Sequence, residues 1–162
     1  MEFDKPRLDR LYQFCLSLTA HEPDAYDLLQ TGLEKYLKNP PQLAAAAESY
    51  MYKILHNTFI DQWRQTSRIA NEHFEEDQHS LDFDIATLES IHIDNHTANK
   101  LLESLEPEDR EILYLWAVEE YSTREVAEIT GKPKGTVLSR IYRLRQKLQA
   151  TSSADLAREI AK

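Results

Sequence analysis

The chain has 162 residues, with 28 acidic against 19 basic side chains, a formal net charge of −9, three glycines, six prolines and a single cysteine. One cysteine excludes an intramolecular disulfide, no apolar run approaches a membrane span, and the start Met1-Glu2-Phe3-Asp4-Lys5 lacks the basic head and apolar centre of a signal peptide. A cytoplasmic protein is expected, and the scarcity of glycine and proline beside many Leu, Ala, Glu and Gln residues predicts an all-α fold, in one compact domain or two small ones.

Three helices are predicted in the first 69 residues. Leu8, Leu11, Tyr12, Cys15 and Leu18 form the apolar stripe of the first, which makes Cys15 a buried thiol rather than a reactive one. In the second, Tyr26, Leu29, Leu33, Tyr36 and Leu37 repeat at helical spacing and are expected to face the core, leaving Asp27, Gln30 and Glu34 as an exposed polar stripe. The third runs roughly from Glu48 to Arg68, with Met51, Ile54, Leu55 and Phe59 inward and Lys53, Asn57, Arg64 and Arg68 on another face. These two polar stripes are either solvated faces or binding faces, and the pattern alone leaves both readings open. Trp63, near the end of the third helix, reads first as packing and second as a surface on which a base stacks.

Residues 1–69 carry 8 Lys or Arg against 9 Asp or Glu, residues 70–98 carry 0 against 8, and residues 99–162 carry 11 against 11. The excess negative charge therefore sits in 70–98, whose irregular apolar spacing marks a linker between two small helical domains, 1–69 and 99–162. Inside the linker, His92 and His96 stand at i, i+4 beside Asp94. With no glutamate next to His92 and no third ligand at a set distance, no metal site is assigned.

The sharpest local signal lies between Ser122 and Leu148. Ser122-Thr123-Arg124-Glu125 fits a capping box, so a helix is expected to start near Thr123. It should stop at Gly131, which tolerates the left-handed conformation, and Pro133 suits the first turn of a second short helix. Ala127, Gly131 and Val137 then take the close-contact, turn and buried positions of a helix-turn-helix, and Val137, Ile141, Leu144 and Leu148 are ordinary core spacing. From Lys132 to Lys147 there are six cations, Lys132, Lys134, Arg140, Arg143, Arg145 and Lys147, and no acid. In so acidic a chain this run points to a polyanion, because cations near phosphates gain affinity by releasing condensed counterions. The competing reading is a solvated helix surface.

The run Pro133 to Arg140, preceded by Leu105 to Leu113, resembles the promoter-reading C-terminal domain of sigma-70 family factors of the small, extracytoplasmic-function type. The resemblance implies that this domain binds the minus-35 element, with Lys134, Gly135, Thr136, Ser139, Arg140 and Arg143 against DNA. Asp24 to Gln30 is similar to the polymerase-binding helix of the family, which implies docking on core RNA polymerase through Asp27 and Gln30, with Glu34 on the same stripe. Tyr50 to Asn57 and Asp61 to Arg64 resemble the minus-10 region, which implies duplex opening around a flipped-out base, with Asn57 in the base pocket and Lys53, Arg64 and Arg68 on the backbone. Extruding a base costs a few kcal/mol, which a shaped pocket offsets only for the right base. Thr31 departs from a common family acid, Leu33 from a common Phe, and Pro41 to Ala47 is alanine-rich where many relatives carry basic or aromatic residues.

The resemblance also implies an anti-sigma partner, and a linker that threads the polymerase interior, where its acids mimic nucleic acid; the plainer reading is a soluble spacer. No Gly-rich phosphate loop or nucleophile motif is present in the sequence, so neither an enzyme nor a cofactor is expected. The alternative to a sigma factor is a free-standing helix-turn-helix regulator that binds DNA without polymerase.

Overall fold

The computed structural model describes residues 3–67 and 104–160, and every regular element among them is helical. In chain order these are α1 (Lys5–Thr19), α2 (Glu22–Lys38), a 3-10 turn (Ala44–Ala46), α3 (Ala47–Ser67), α4 (Pro107–Leu113), a π-helical turn (Tyr114–Val118), α5 (Thr123–Thr130) and α6 (Lys134–Ile160). Arg68 and the acidic segment with His92 and His96 lie outside the described residues.

The first three helices form an antiparallel bundle. The Asp4 side chain accepts the backbone N–H of Arg7 and starts α1, and Ala20 ends it in the left-handed region at φ 54°, donating its own N–H to the Leu16 carbonyl. Leu11, Phe14, Cys15 and Leu18 are buried, as the α1 stripe predicts. Burial pushes the Cys15 thiol up to about 12, so it stays protonated and inert at neutral pH.

The inward face of α2 differs from the expected one. Ala25, Leu28, Leu29, Gly32 and Tyr36 are buried, whereas Tyr26 and Leu37 are 61% and 68% exposed. The large apolar side chains placed the stripe one step off its true centre, because Ala25 and Gly32 carry little apolar signal of their own. Their smallness is what lets α2 lie close to its neighbours: a Cβ added at Gly32 would overlap Cδ2 of Leu55 on α3. The displaced Tyr26 stacks on Tyr12 of α1, ring centroids 4.6 Å apart. On α3, Met51 and Leu55 are fully buried as expected and Ile54 and Phe59 half-buried, but Tyr52, His56 and Thr58 are buried as well.

Tyr52 and His56 face the second half of the molecule, whereas Thr58 accepts from Lys35 Nζ on α2 at 3.0 Å. α4 packs on α1, α5 packs on α3, and one apolar core runs through both halves. Phe14 contacts Tyr52 and Tyr114 at 4.9 and 5.7 Å, and Tyr52 meets Tyr121 edge-on at 5.8 Å. Within the second half, α6 covers α4 and α5 through Val137, Ile141, Leu144 and Leu148, all buried. This helix is not short: it continues to Ile160, since no proline or glycine follows Gly135 to stop it.

Candidate nucleic-acid interface

The turn between α5 and α6 is built from local signals. Ser122 accepts the Glu125 N–H on its hydroxyl, and the Glu125 carboxylate accepts the Ser122 N–H at 2.8 Å and its hydroxyl at 2.7 Å. Those hydrogen bonds, the hydroxyl's first, hold the Glu125 carboxyl below its usual range. Gly131 ends α5 at φ 68°, where a side chain would be strained, and the Pro133 carbonyl accepts the N–H groups of Thr136 and Val137 to start α6. The result is two helices joined by a three-residue turn, with the second helix's N-terminus open to solvent at Lys134 and Gly135. A Cβ added at Gly135 would meet nothing within 4 Å, so the protein's own packing does not demand glycine there.

The six cations of the basic run are not equivalent. Lys134, Arg143 and Lys147 are exposed. Arg145 is buried, and Lys132 and Arg140 are tied to acids on α4: Lys132 Nζ to Glu108 at 2.8 Å, and Arg140 to Glu108 at 2.6 Å and Asp109 at 2.8 Å. Ser139 is also buried, its hydroxyl donating to the Gly135 carbonyl, and Thr136 is half-buried. Of the residues expected on DNA, Lys134, Gly135 and Arg143 are thus exposed, the first two at the start of α6 and Arg143 more than two turns further along, while Arg140 is held by two carboxylates. Arg140 and Arg143 share a face by spacing, but only Arg143 is exposed. Glu108 and Asp109 were not expected in the site, and no sequence signal joins them to a residue 31 positions away.

On the first half, Lys53, Asn57 and Arg64 are exposed along one face of α3. On α2, Asp27, Gln30 and Glu34 are exposed, and Gln30 donates to Glu34 at 3.3 Å. Trp63 is half-buried. The molecule therefore carries an acid and amide stripe, a basic and amide stripe, and a basic helix N-terminus, with no cluster of metal-ligating side chains among the described residues.

Residues 5–69 match the family model of sigma-70 region 2 and residues 98–148 that of sigma-70 region 4. The RNA polymerase sigma-E factor of Streptomyces avermitilis is 30% identical over 155 residues, which cover 92% of this chain and 84% of that protein. The chain belongs to the sigma-70 family. Within it, this sigma factor is of the extracytoplasmic-function type, and it performs recognition rather than catalysis. The extracytoplasmic-function sigma factor SigE of Mycolicibacterium smegmatis is also 30% identical, over 91% of this chain but 59% of its own length. SigV of Bacillus subtilis is 28% identical over 82% of this chain and 78% of its own. Among solved structures, the sigma factor RpoE in a co-crystal with the anti-sigma factor NepR from Bartonella quintana superposes with a TM-score of 0.67 at 25% identity, covering 91% of this chain and 92% of that one. The first half alone makes up far less of the chain than that, so the likeness extends to both halves together.

Proposed function

We propose that this sigma factor binds core RNA polymerase through the α2 stripe Asp27, Gln30 and Glu34 and directs it to promoters with two DNA-facing surfaces. Lys134, Gly135, Thr136, Ser139, Arg140 and Arg143 serve the minus-35 element, the exposed members touching DNA and Arg140 reaching it from its carboxylate anchor. Lys53, Asn57, Arg64 and Arg68 serve the minus-10 element, Asn57 at the flipped base. The division is 1–69 for polymerase binding and melting, 70–98 as linker and 99–162 for minus-35 reading. It acts in the cytoplasm, where the polymerase is; no helix among the described residues is long and apolar enough to cross a membrane. An anti-sigma factor is its expected regulator, in line with the complex in which its solved relative was crystallised.

The observation that carries this reading is the exposure of all three surfaces on separate helices of one chain. A free-standing regulator needs only the basic helix. The experiment is co-elution of the purified chain with bacterial core RNA polymerase, repeated with Asp27→Arg and Gln30→Ala together. Both positions are exposed, so the double variant is expected to fold and to lose the polymerase. No association of the parent chain, with DNA bound by the protein alone, would instead favour the regulator.

A further inference from the structure

Two cations of the basic run carry their own counterions. Lys132 in the turn and Arg140 on α6 converge on the first turn of α4, where Glu108 takes both: its Oε1 lies 2.8 Å from Lys132 Nζ and its Oε2 2.6 Å from Arg140 Nη2. Asp109 Oδ1 completes the group at 2.8 Å from Arg140 Nη1. The four side chains are between 14% and 21% exposed, so salt screens them little, and their formal charges cancel. Lys134 and Arg143, on the same helix as Arg140, are exposed instead.

Holding α4 on α6 does not call for this group. Leu113 of α4 and Leu105 just before it are buried with Leu144 and Leu148 of α6, which gives that contact an apolar core of its own. Nor is Arg140 fully satisfied there: its Nε is enclosed and has no hydrogen-bond partner. An unmet buried donor is unfavourable, so the two carboxylates at the tip, and not the sum of its donors, dictate where the guanidinium sits.

At a DNA surface such a group changes what is recognised. A bare cation gains affinity for any phosphate by releasing condensed counterions, whatever the sequence. Arg140 and Lys132 gain none of this, because a phosphate that takes either of them uncovers a carboxylate beside the DNA. One anion replaces another, and the uncovered acid repels the newcomer. Phosphate contacts carry no sequence information, and a binder competes against a vast excess of wrong sites, so cancelling such contacts weakens wrong binding more than right.

We propose that Glu108 and Asp109 set the specificity of the minus-35 surface, as built-in counterions that withhold Arg140 and Lys132 from sequence-independent phosphate binding and fix the direction of the Arg140 guanidinium. They act through those two cations and are positioning residues. This role rests on the proposed function.

The test titrates the full chain with a labelled duplex of random sequence, by fluorescence anisotropy across a salt series. Glu108→Gln with Asp109→Asn keeps the shape and removes both charges; it is expected to steepen the log–log salt dependence by about 1.8, one phosphate for each cation released. Adding Arg140→Met is expected to take back about 0.9 of that. Glu108→Gln alone leaves Arg140 its Asp109 partner and is expected to steepen the dependence by about 0.9; it replaces the double variant if circular dichroism shows the latter unfolded. An unchanged or shallower slope in the folded variant would mean that the acids only brace the domain, and would overturn the proposal. Steepening that survives Arg140→Met in full would come from relieved repulsion alone and would refute the withholding of Arg140. In reconstituted holoenzyme, the charge-removed variant is expected to enrich the parent's preferred minus-35 sequence from a randomised duplex library about fivefold less, the worth of one phosphate contact near 0.15 M salt. Equal or stronger enrichment would count against the specificity role. A parent holoenzyme that enriches no sequence would instead sink the minus-35 reading itself, whatever the slopes show.

Discussion

Gly32 sets the distance between α2 and α3, and through it the position of the exposed stripe Asp27, Gln30 and Glu34. Its helical backbone needs no left-handed conformation, so the reason for glycine here is space: an added Cβ would overlap Leu55 Cδ2 and sit 3.3 Å from its Cγ and 3.4 Å from Met51 Cε. Leu55 and Met51 are themselves fully buried, so neither has room to swing away. Two effects then oppose one another. Alanine gains about 1 kcal/mol of helix propensity over glycine, whereas overpacking a filled core costs about 1–3 kcal/mol. Overlap with two buried side chains puts this site at the upper end of the cost. Gly32→Ala is therefore expected to destabilise the protein by about 1–2 kcal/mol, read as a lower midpoint in urea denaturation with unchanged slope; a midpoint equal to or above the parent's would show that Leu55 repacks freely.

At the level of elements, the basic run on α6 divides into cations that reach outward and cations that hold the domain together. Lys134 and Arg143 are exposed, while Arg140 is held by Glu108 and Asp109. Neutralising an outward cation should remove about one phosphate contact and leave stability alone. In the reconstituted holoenzyme, Lys134→Ala and Arg143→Ala are each expected to flatten the log–log salt dependence of promoter binding by about 0.9. Arg140→Ala takes from Asp109 its Arg140 partner and leaves Glu108 with Lys132 alone, and is expected to lower the melting temperature as well, which the other two should not. Equal effects of all three on both measurements would mean that the division is wrong. How far these elements were legible follows from the range of each signal. The capping box and Gly131 act across three residues or fewer, so the start and stop of α5 were readable to the residue. The exposed stripe Asp27, Gln30, Glu34 followed from helical period, but the buried stripe beside it did not, because Ala25 and Gly32 act through being small. Pairings between distant elements leave no local trace. Arg140 meets Asp109 from 31 positions away and His56 meets Glu111 from 55, and each acid taken alone reads as a solvated charge.

For the whole molecule, closure and net charge act in the same direction. A chain of formal charge −9 approaches DNA against a repulsive field, which the exposed cations of α3 and α6, Lys53, Arg64, Lys134 and Arg143 among them, oppose only locally. Two DNA surfaces on one chain would normally reinforce one another, since binding of the first makes the second intramolecular. That gain vanishes when the geometry forbids simultaneous engagement: α3 and α6 are separated by two helix contacts through α5, about 20 Å at 8–10 Å each, whereas elements centred near minus-35 and minus-10 lie about 85 Å apart along B-DNA at 3.4 Å per pair. The free chain should then bind promoter duplex only as weakly as one small basic site does, in the range of about 10⁻⁴ to 10⁻⁶ M at physiological salt. In the proposed holoenzyme, core polymerase adds its own contacts to DNA and so removes the dependence on that one site. In fluorescence anisotropy with a labelled promoter, scrambling either element is expected to alter binding of the free chain little. In the presence of core polymerase, scrambling either one should weaken the complex, and scrambling both should cost about the sum of the two. Tight binding by the free chain that depends on both elements at once would mean that the two halves separate on DNA without help.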